Sequence, residues 1–178
     1  MALTLISTHT ASGDSSIDIT SGIDSTYDSY EFHFVNIHPQ TSGQYFQFQV
    51  NAAGQSGFNE TMTTSFFRAR HNESGSTASL DYEGGFDQAQ GTAYQTIGLW
   101  GGANADENLA GVLTLYAPSS TTYVKHFQTT IIHNQSSNYA FNNFIAGYIN
   151  TTSAIDEISF KYSSGNIDAG TIKMFGVS

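Results

Sequence analysis

Apolar side chains recur at every second position along most of this chain, the period of a strand with one packed face and one face in water. Tyr30, Phe32 and Phe34 fall on one side of such a run, with Glu31 and His33 on the other. Ile158, Phe160 and Tyr162 alternate in the same way with Glu157, Ser159 and Lys161. Comparable runs cover Leu3 to Thr8, Ser15 to Thr20, Tyr45 to Ala52, Thr61 to Ala69, Gly111 to Ala117, Thr122 to His133, Phe144 to Asn150, Ile155 to Tyr162 and Gly170 to Val177. No stretch sustains a helical period, so the pattern predicts about ten strands.

Between the runs stand clusters that supply positive φ and side-chain-to-backbone turns: Ala11-Ser12-Gly13-Asp14, Ser74-Gly75-Ser76, Gly101-Gly102-Ala103-Asn104 and Ser163-Ser164-Gly165-Asn166. Pro39 and Pro118 each follow a strongly alternating run, where a missing amide donor takes nothing from a ladder. A single open sheet of this many strands leaves exposed edges, so two packed antiparallel sheets are expected. The predicted architecture is an all-β, antiparallel, jelly-roll-like sandwich, one domain over residues 1–178. The stretch from Tyr82 to Asp106 breaks the alternation. It reads as one long irregular insertion between the two halves, with a short helix near Asp87 to Thr96.

Composition narrows the functional classes. A chain of 178 residues is long enough to bury a real core without staples, and with no cysteine it has no disulfide, thiolate metal site or cysteine nucleophile. Charged residues make up 11% of the chain, against about 25% in an average globular protein. Hydroxyl and amide side chains take their place, a surface suited to packing against other proteins, where lysine and glutamate are depleted. The net charge is −10, and the only cations are Arg68, Arg70, Lys125, Lys161 and Lys173, which argues against nucleic acid as a partner. Met1-Ala2-Leu3-Thr4-Leu5-Ile6 lacks the basic and long apolar regions of a secretory signal, and no run approaches a membrane span. Synthesis in a cytoplasm without membrane insertion is expected. Sequons at Asn59, Asn72, Asn134 and Asn150 are expected by chance in so Asn-, Ser- and Thr-rich a chain.

Candidate chemistry is sparse. His9, His33, His38, His71, His126 and His133 form no His-x-His pair and no zinc-enzyme spacing. Asp14, Asp18, Asp24 and Asp28 crowd one region but follow no calcium-loop pattern, and read as turn residues and Asx caps. A Gly-x-Ser-x-Gly elbow is missing, the glycine clusters lack the lysine of a phosphate loop, and Asp156-Glu157 on a strand point to opposite faces. The expectation is a non-enzyme without cofactor or metal. Aromatics are more informative: most alternate into the core, whereas Tyr82, Tyr94, Trp100, Tyr139 and Phe141 stand in polar or irregular stretches. Such rings pack a loop, anchor a protein interface or stack on a sugar. Tyr94, Trp100, Tyr139 and Phe141 are the candidate interface or glycan-stacking residues.

The C-terminal segment from Ser163 to Val177, a polar turn followed by Gly170-Thr171, an alternating strand and Gly176-Val177, resembles the ending of many tailed-phage virion proteins. Ser21 to Tyr30 and Ala146 to Asn150 look like parts of the same proteins, familiar from marine phages. The resemblance implies a virion structural protein, either a capsid decoration or cement protein or a tail or fibre component. It would act by contacts with other virion proteins and with its own copies, as a homotrimer by analogy with jelly-roll virion parts. The alternative is a carbohydrate-binding module of a tail fibre that recognises a host-surface glycan.

Overall fold

A computed structural model describes residues 2–135 and 137–178, in which thirteen strands and no helix occur. They are β1 (Leu3–Asp14), β2 (Ile17–Ile19), β3 (Ser29–Pro39), β4 (Gln44–Ala52), β5 (Met62–Asn72), β6 (Ala78–Tyr82), β7 (Ala89–Gly91), β8 (Gln95–Gly101), β9 (Leu109–Tyr116), β10 (Lys125–Gln135), β11 (Tyr139–Ile149), β12 (Ile155–Tyr162) and β13 (Ile167–Val177). All pairings are antiparallel. One sheet of nine strands runs β1-β13-β3-β9-β10-β11-β5-β6, with β7 also on β5, and a sheet of four runs β2-β12-β4-β8.

The connectivity is that of a jelly roll with two insertions. Taken alone, β1-β13-β3-β9 faces β2-β12-β4-β8, and in chain order these eight strands pass between the sheets as jelly-roll strands do. The other five lie in two excursions, β5 to β7 between β4 and β8, and β10-β11 between β9 and β12. Both excursions extend the larger sheet beyond β9, so that sheet overhangs the smaller one.

Alternation builds the core as expected. Tyr30, Phe32 and Phe34 of β3, Phe46, Phe48 and Val50 of β4, Ile158 and Phe160 of β12, and Ile172 and Met174 of β13 are all buried in one cluster between the sheets. Phe160 is its hub, with ring centroids 5.6, 5.2 and 6.1 Å from Phe32, Phe34 and Phe46. Each such ring is worth about 1.5–3 kcal/mol relative to leaving it exposed.

Three local readings of the sequence are corrected. The expected helix over Asp87 to Thr96 is absent; Ala89–Gly91 pairs with Met62 and Thr63 of β5, and Gln95 opens β8. That segment has no apolar stripe to pack as a helix. Its backbone bonds across to β5 instead, Gln88 N donating to Thr64 Oγ1 at 2.8 Å and Thr64 N to Gln88 O at 2.9 Å. The insertion is therefore largely regular: β8 carries Gln95, Ile97 and Leu99 buried at period two, a run whose polar first member hides it. Ala11 to Asp14 is likewise strand, the end of β1, paired with Ile167 to Gly170 of β13.

The outer face of β12 also departs from expectation. Ser159 is fully buried there, as is Gln49 on β4, because the segments around residues 53–61 and 86–94 fold over this face. Gln49 Nε2 reaches the carbonyls of Glu60, Ala93 and Thr92 at 2.9, 3.1 and 3.2 Å. Amides serve here because a charge would have to be desolvated. At one end of the sandwich the buried Lys125 Nζ donates to the carbonyls of Tyr123 and Thr151 at 3.1 and 3.2 Å, tying together the chain before β10 and the turn after β11.

Candidate functional site

The overhang of the larger sheet creates a cleft. Met62, Thr64 and Phe66 of β5 face inward and are buried, and the same parity carries Arg68 and Arg70 onto that inner face near the end of β8. On β11 the inward positions are Ile145, Asn143, Phe141 and Tyr139. These strands meet the end of β8 around a cavity of about 230 Å³ lined by Arg70, Trp100, Gln135, Ser137, Tyr139 and Phe141.

Trp100 reaches this cleft through a break in register. Gly98 pairs with Phe46 and Gly101 with Gln44, so β8 carries one more residue than β4 across this interval. The extra residue bulges, and Trp100 takes a φ of +47°, a left-handed conformation unusual for a bulky side chain. Regular alternation would turn the indole away from the larger sheet, opposite Leu99. Instead it lies 6.0 Å from the Phe141 ring, 6.1 Å from Phe86 and 6.3 Å from Tyr45, bridging the two sheets. A residue held in a strained conformation persists only where surrounding packing enforces it, and such residues gather at functional sites.

Two arginines support the aromatic wall. The Arg68 guanidinium carbon stands 4.7 Å from the Trp100 ring centroid and 5.2 Å from that of Phe141, and the residue is only 6% exposed. Its Nε lies 2.7 Å from Glu83 Oε1 and 3.9 Å from Asp81 Oδ2, but the Nε–H is poorly aligned for a hydrogen bond, and Nη1 is buried without a partner among the described residues. Burial lowers the Arg68 pKa, with Glu83 opposing the shift. Arg70 Nε donates to Ser79 Oγ at 2.9 Å and stands 3.5 Å from Asp81 Oδ2, while its guanidinium carbon lies 5.7 Å from the Tyr139 ring.

Behind Phe141 a neutral histidine closes the wall. His133 stacks on Phe141 at 4.9 Å with the planes 4° apart. Burial pushes its pKa down to about 4, and the nearby Arg68 charge acts in the same direction. Asn143 Nδ2 lies 3.2 Å from Ile97 O and 3.3 Å from His133 Nε2. Donation to Nε2 places the imidazole proton on Nδ1.

Of the sequence candidates, Trp100, Tyr139 and Phe141 come together here and Tyr94 does not. Tyr94 covers the outer face of the smaller sheet, its hydroxyl 3.1 Å from Ser159 Oγ and its ring 4.1 Å from Lys161 Nζ. The expectation that Tyr82, Tyr94, Trp100, Tyr139 and Phe141 sit in polar or irregular stretches is corrected for all but Tyr94. Trp100 belongs to β8, and Tyr139 and Phe141 to β11, whose polar Asn142 and Asn143 mask the alternation. Phe141 is 3% exposed and acts as a wall, whereas Trp100 and Tyr139 are half-buried with accessible surface. Tyr82 ends β6, with its hydroxyl bonded to Asp87. The sequence reading missed Arg68, Arg70, Gln135 and Ser137. The spacing Arg68-x-Arg70, which places both arginines of the chain on one face of a strand, was a legible signal for two of them.

A second surface lies on the outside of the larger sheet. The outward positions are Ala78, Leu80 and Tyr82 on β6, Thr63, Ser65, Phe67, Ala69 and His71 on β5, Ala140, Asn142, Phe144, Ala146 and Tyr148 on β11, and His126, Gln128, Thr130, Ile132 and Asn134 on β10. None is Asp, Glu, Lys or Arg, in a chain of net charge −10. Phe67 stacks on Phe144 at 5.0 Å, and Leu80, Tyr82 and Ile132 are exposed.

Elsewhere the titratable groups serve local structure. Asp14 accepts from Ser12 N, Asp18 from Ser159 Oγ, and Asp24 from Thr26 N and Tyr30 OH. No group of three or more metal-ligating side chains converges among the described residues. A bulge between Ile155 and Glu157 breaks the alternation that would have separated Asp156 from Glu157. Burial and, secondarily, the Glu157 charge raise the Asp156 pKa. No protein-family model matches the chain, and a search of curated proteins returns no match.

Proposed function

We propose that this chain is a structural component of a phage virion, a capsid decoration or cement protein or a tail-associated protein, that acts by protein–protein contacts as a homo-oligomer, by analogy a trimer. The observation that carries the reading is the uncharged outer face of β6, β5, β11 and β10. Contiguous exposed apolar side chains with no Asp, Glu, Lys or Arg among them favour docking, since little charge must be desolvated when the face is covered. The jelly-roll fold, which recurs in viral capsid and lectin domains, agrees with this reading by analogy alone. Mass spectrometry of purified particles tests it: the chain is expected at a fixed stoichiometry to the major capsid or tail protein. Particles that lack it overturn the proposal.

The cleft favours a second reading, a carbohydrate-binding module of a tail fibre directed at a host-surface glycan. Half-buried Trp100 and Tyr139, with the Gln135 amide and Ser137 hydroxyl beside them, combine a stacking surface with hydrogen-bonding groups. Binding on a glycan array that disappears in Trp100→Ala supports it, and an array without signal removes it.

A further inference from the structure

We infer that the Trp100 cleft selects an acidic sugar, with the ligand carboxylate held by the terminal nitrogens of Arg70. This rests on the glycan reading and goes beyond it by naming the chemistry that decides the ligand. Arg70 lines the cavity, and its partners among the described residues, Ser79 and Asp81, both meet its Nε. Among the described residues no hydrogen bond engages the outer edge of the guanidinium, Nη1 and Nη2, and the side chain is 32% exposed. That edge presents parallel N–H donors in the geometry that matches a carboxylate bidentately.

The neighbours hold the fork in place. Ser79 Oγ accepts from Arg70 Nε and donates to Asp81 Oδ2 at 2.7 Å, fixing the inner edge of the guanidinium, and Tyr139 lies against its face. Asp81 and Glu83 balance the formal charge of Arg70 and Arg68. Asp81 lies on the Nε side of Arg70, and Glu83 faces Arg68 Nε, so neither occupies the terminal nitrogens of Arg70. The buried Nη1 of Arg68, behind Trp100, has no hydrogen-bond acceptor among the described residues. In a chain with only five cations and a net charge of −10, both arginines stand at this cleft. An anionic sugar is repelled by most of the molecule and met by donors here. Trp100 and Tyr139 line the cavity with aromatic surface that would pack on the pyranose, and Gln135 and Ser137 would offer donors and acceptors to its hydroxyls.

The test uses the whole chain on an array that presents uronic- and nonulosonic-acid glycans, each paired with its carboxyl-reduced counterpart. The expected result is binding to at least one acidic glycan that weakens by roughly tenfold or more on carboxyl reduction. Arg70→Gln should lose that preference, binding the acidic glycan no better than its reduced counterpart, and Arg70→Lys should recover only part of it, because a point charge lacks the fork. Trp100→Ala should weaken acidic and reduced forms alike. Equal binding of the paired glycans, or an Arg70→Gln profile identical to wild type, overturns the acidic-sugar inference and leaves the glycan reading standing. An array on which neither member of any pair binds overturns both. Circular dichroism and thermal melts of each variant separate loss of binding from loss of fold.

Discussion

Stability below neutral pH should depend on His133. In the folded chain its pKa is about 4, against 6.5 for the free side chain, because the neutral ring is buried between Phe141 and Asn143 and burial disfavours the charged form. The unfolded chain takes up a proton as pH falls through 6.5, and the folded chain resists until near 4. Stability from this group is therefore fully present above the unfolded pKa and is lost as pH falls through the window between the two values. A difference of about 2.5 units corresponds to about 3 kcal/mol, since each unit is worth about 1.4 kcal/mol. The reference variant is His133→Gln, which is uncharged throughout and offers Asn143 an acceptor. Urea denaturation of both proteins at intervals from pH 8 to pH 4 yields a stability difference from which the other titrating groups largely cancel. The wild type should lose about 3 kcal/mol more than the variant across the window. Parallel curves would refute the reasoning, as would an NMR titration in which the His133 ring protonates near pH 6.

Three further outcomes follow from packing. Phe160→Ala removes the ring that joins Phe32, Phe34 and Phe46 and should cost about 3–5 kcal/mol by chemical denaturation; a loss below ~1 kcal/mol would mean that the site collapses to fill the gap. Gly147 on β11 leaves no room for a methyl, since a Cβ there would come within 2.5 Å of Thr63 O, so Gly147→Ala should destabilise by about 1–3 kcal/mol. A melting temperature equal to wild type would show that β5 yields freely. Leu80 is 71% exposed on the uncharged face, and Leu80→Glu should leave monomer stability within about 0.5 kcal/mol while dispersing any oligomer that uses this face, as read by sedimentation velocity. An unchanged sedimentation coefficient in an oligomeric protein would move the interface elsewhere.

The candidate site was legible only in part. Aromatic residues outside the obvious alternation pointed to Trp100, Tyr139 and Phe141, and these do share a cleft. Tyr94 carries the same local signal yet lies on another face, over Ser159 and Lys161, because the pairing of β8 with β4 separates positions close in sequence. The orientation of Trp100 could not be read, since it follows from a bulge that exists only once β8 has a partner. Arg68 and Arg70 were visible as a period-two pair, but their role depends on β11 lying alongside β5.

Period-two alternation of aromatic and branched side chains is a local property, and by itself it determined that this chain builds strands and covers a core with two antiparallel layers. Which strands are neighbours was not local. The jelly-roll order, the extension of one sheet by β5 to β7 and β10-β11, and the resulting overhang were decided by tertiary pairing. Backbone hydrogen bonding is the same for any two strands, so only the fit of side chains brought together from distant positions selects one arrangement, and the cleft with it.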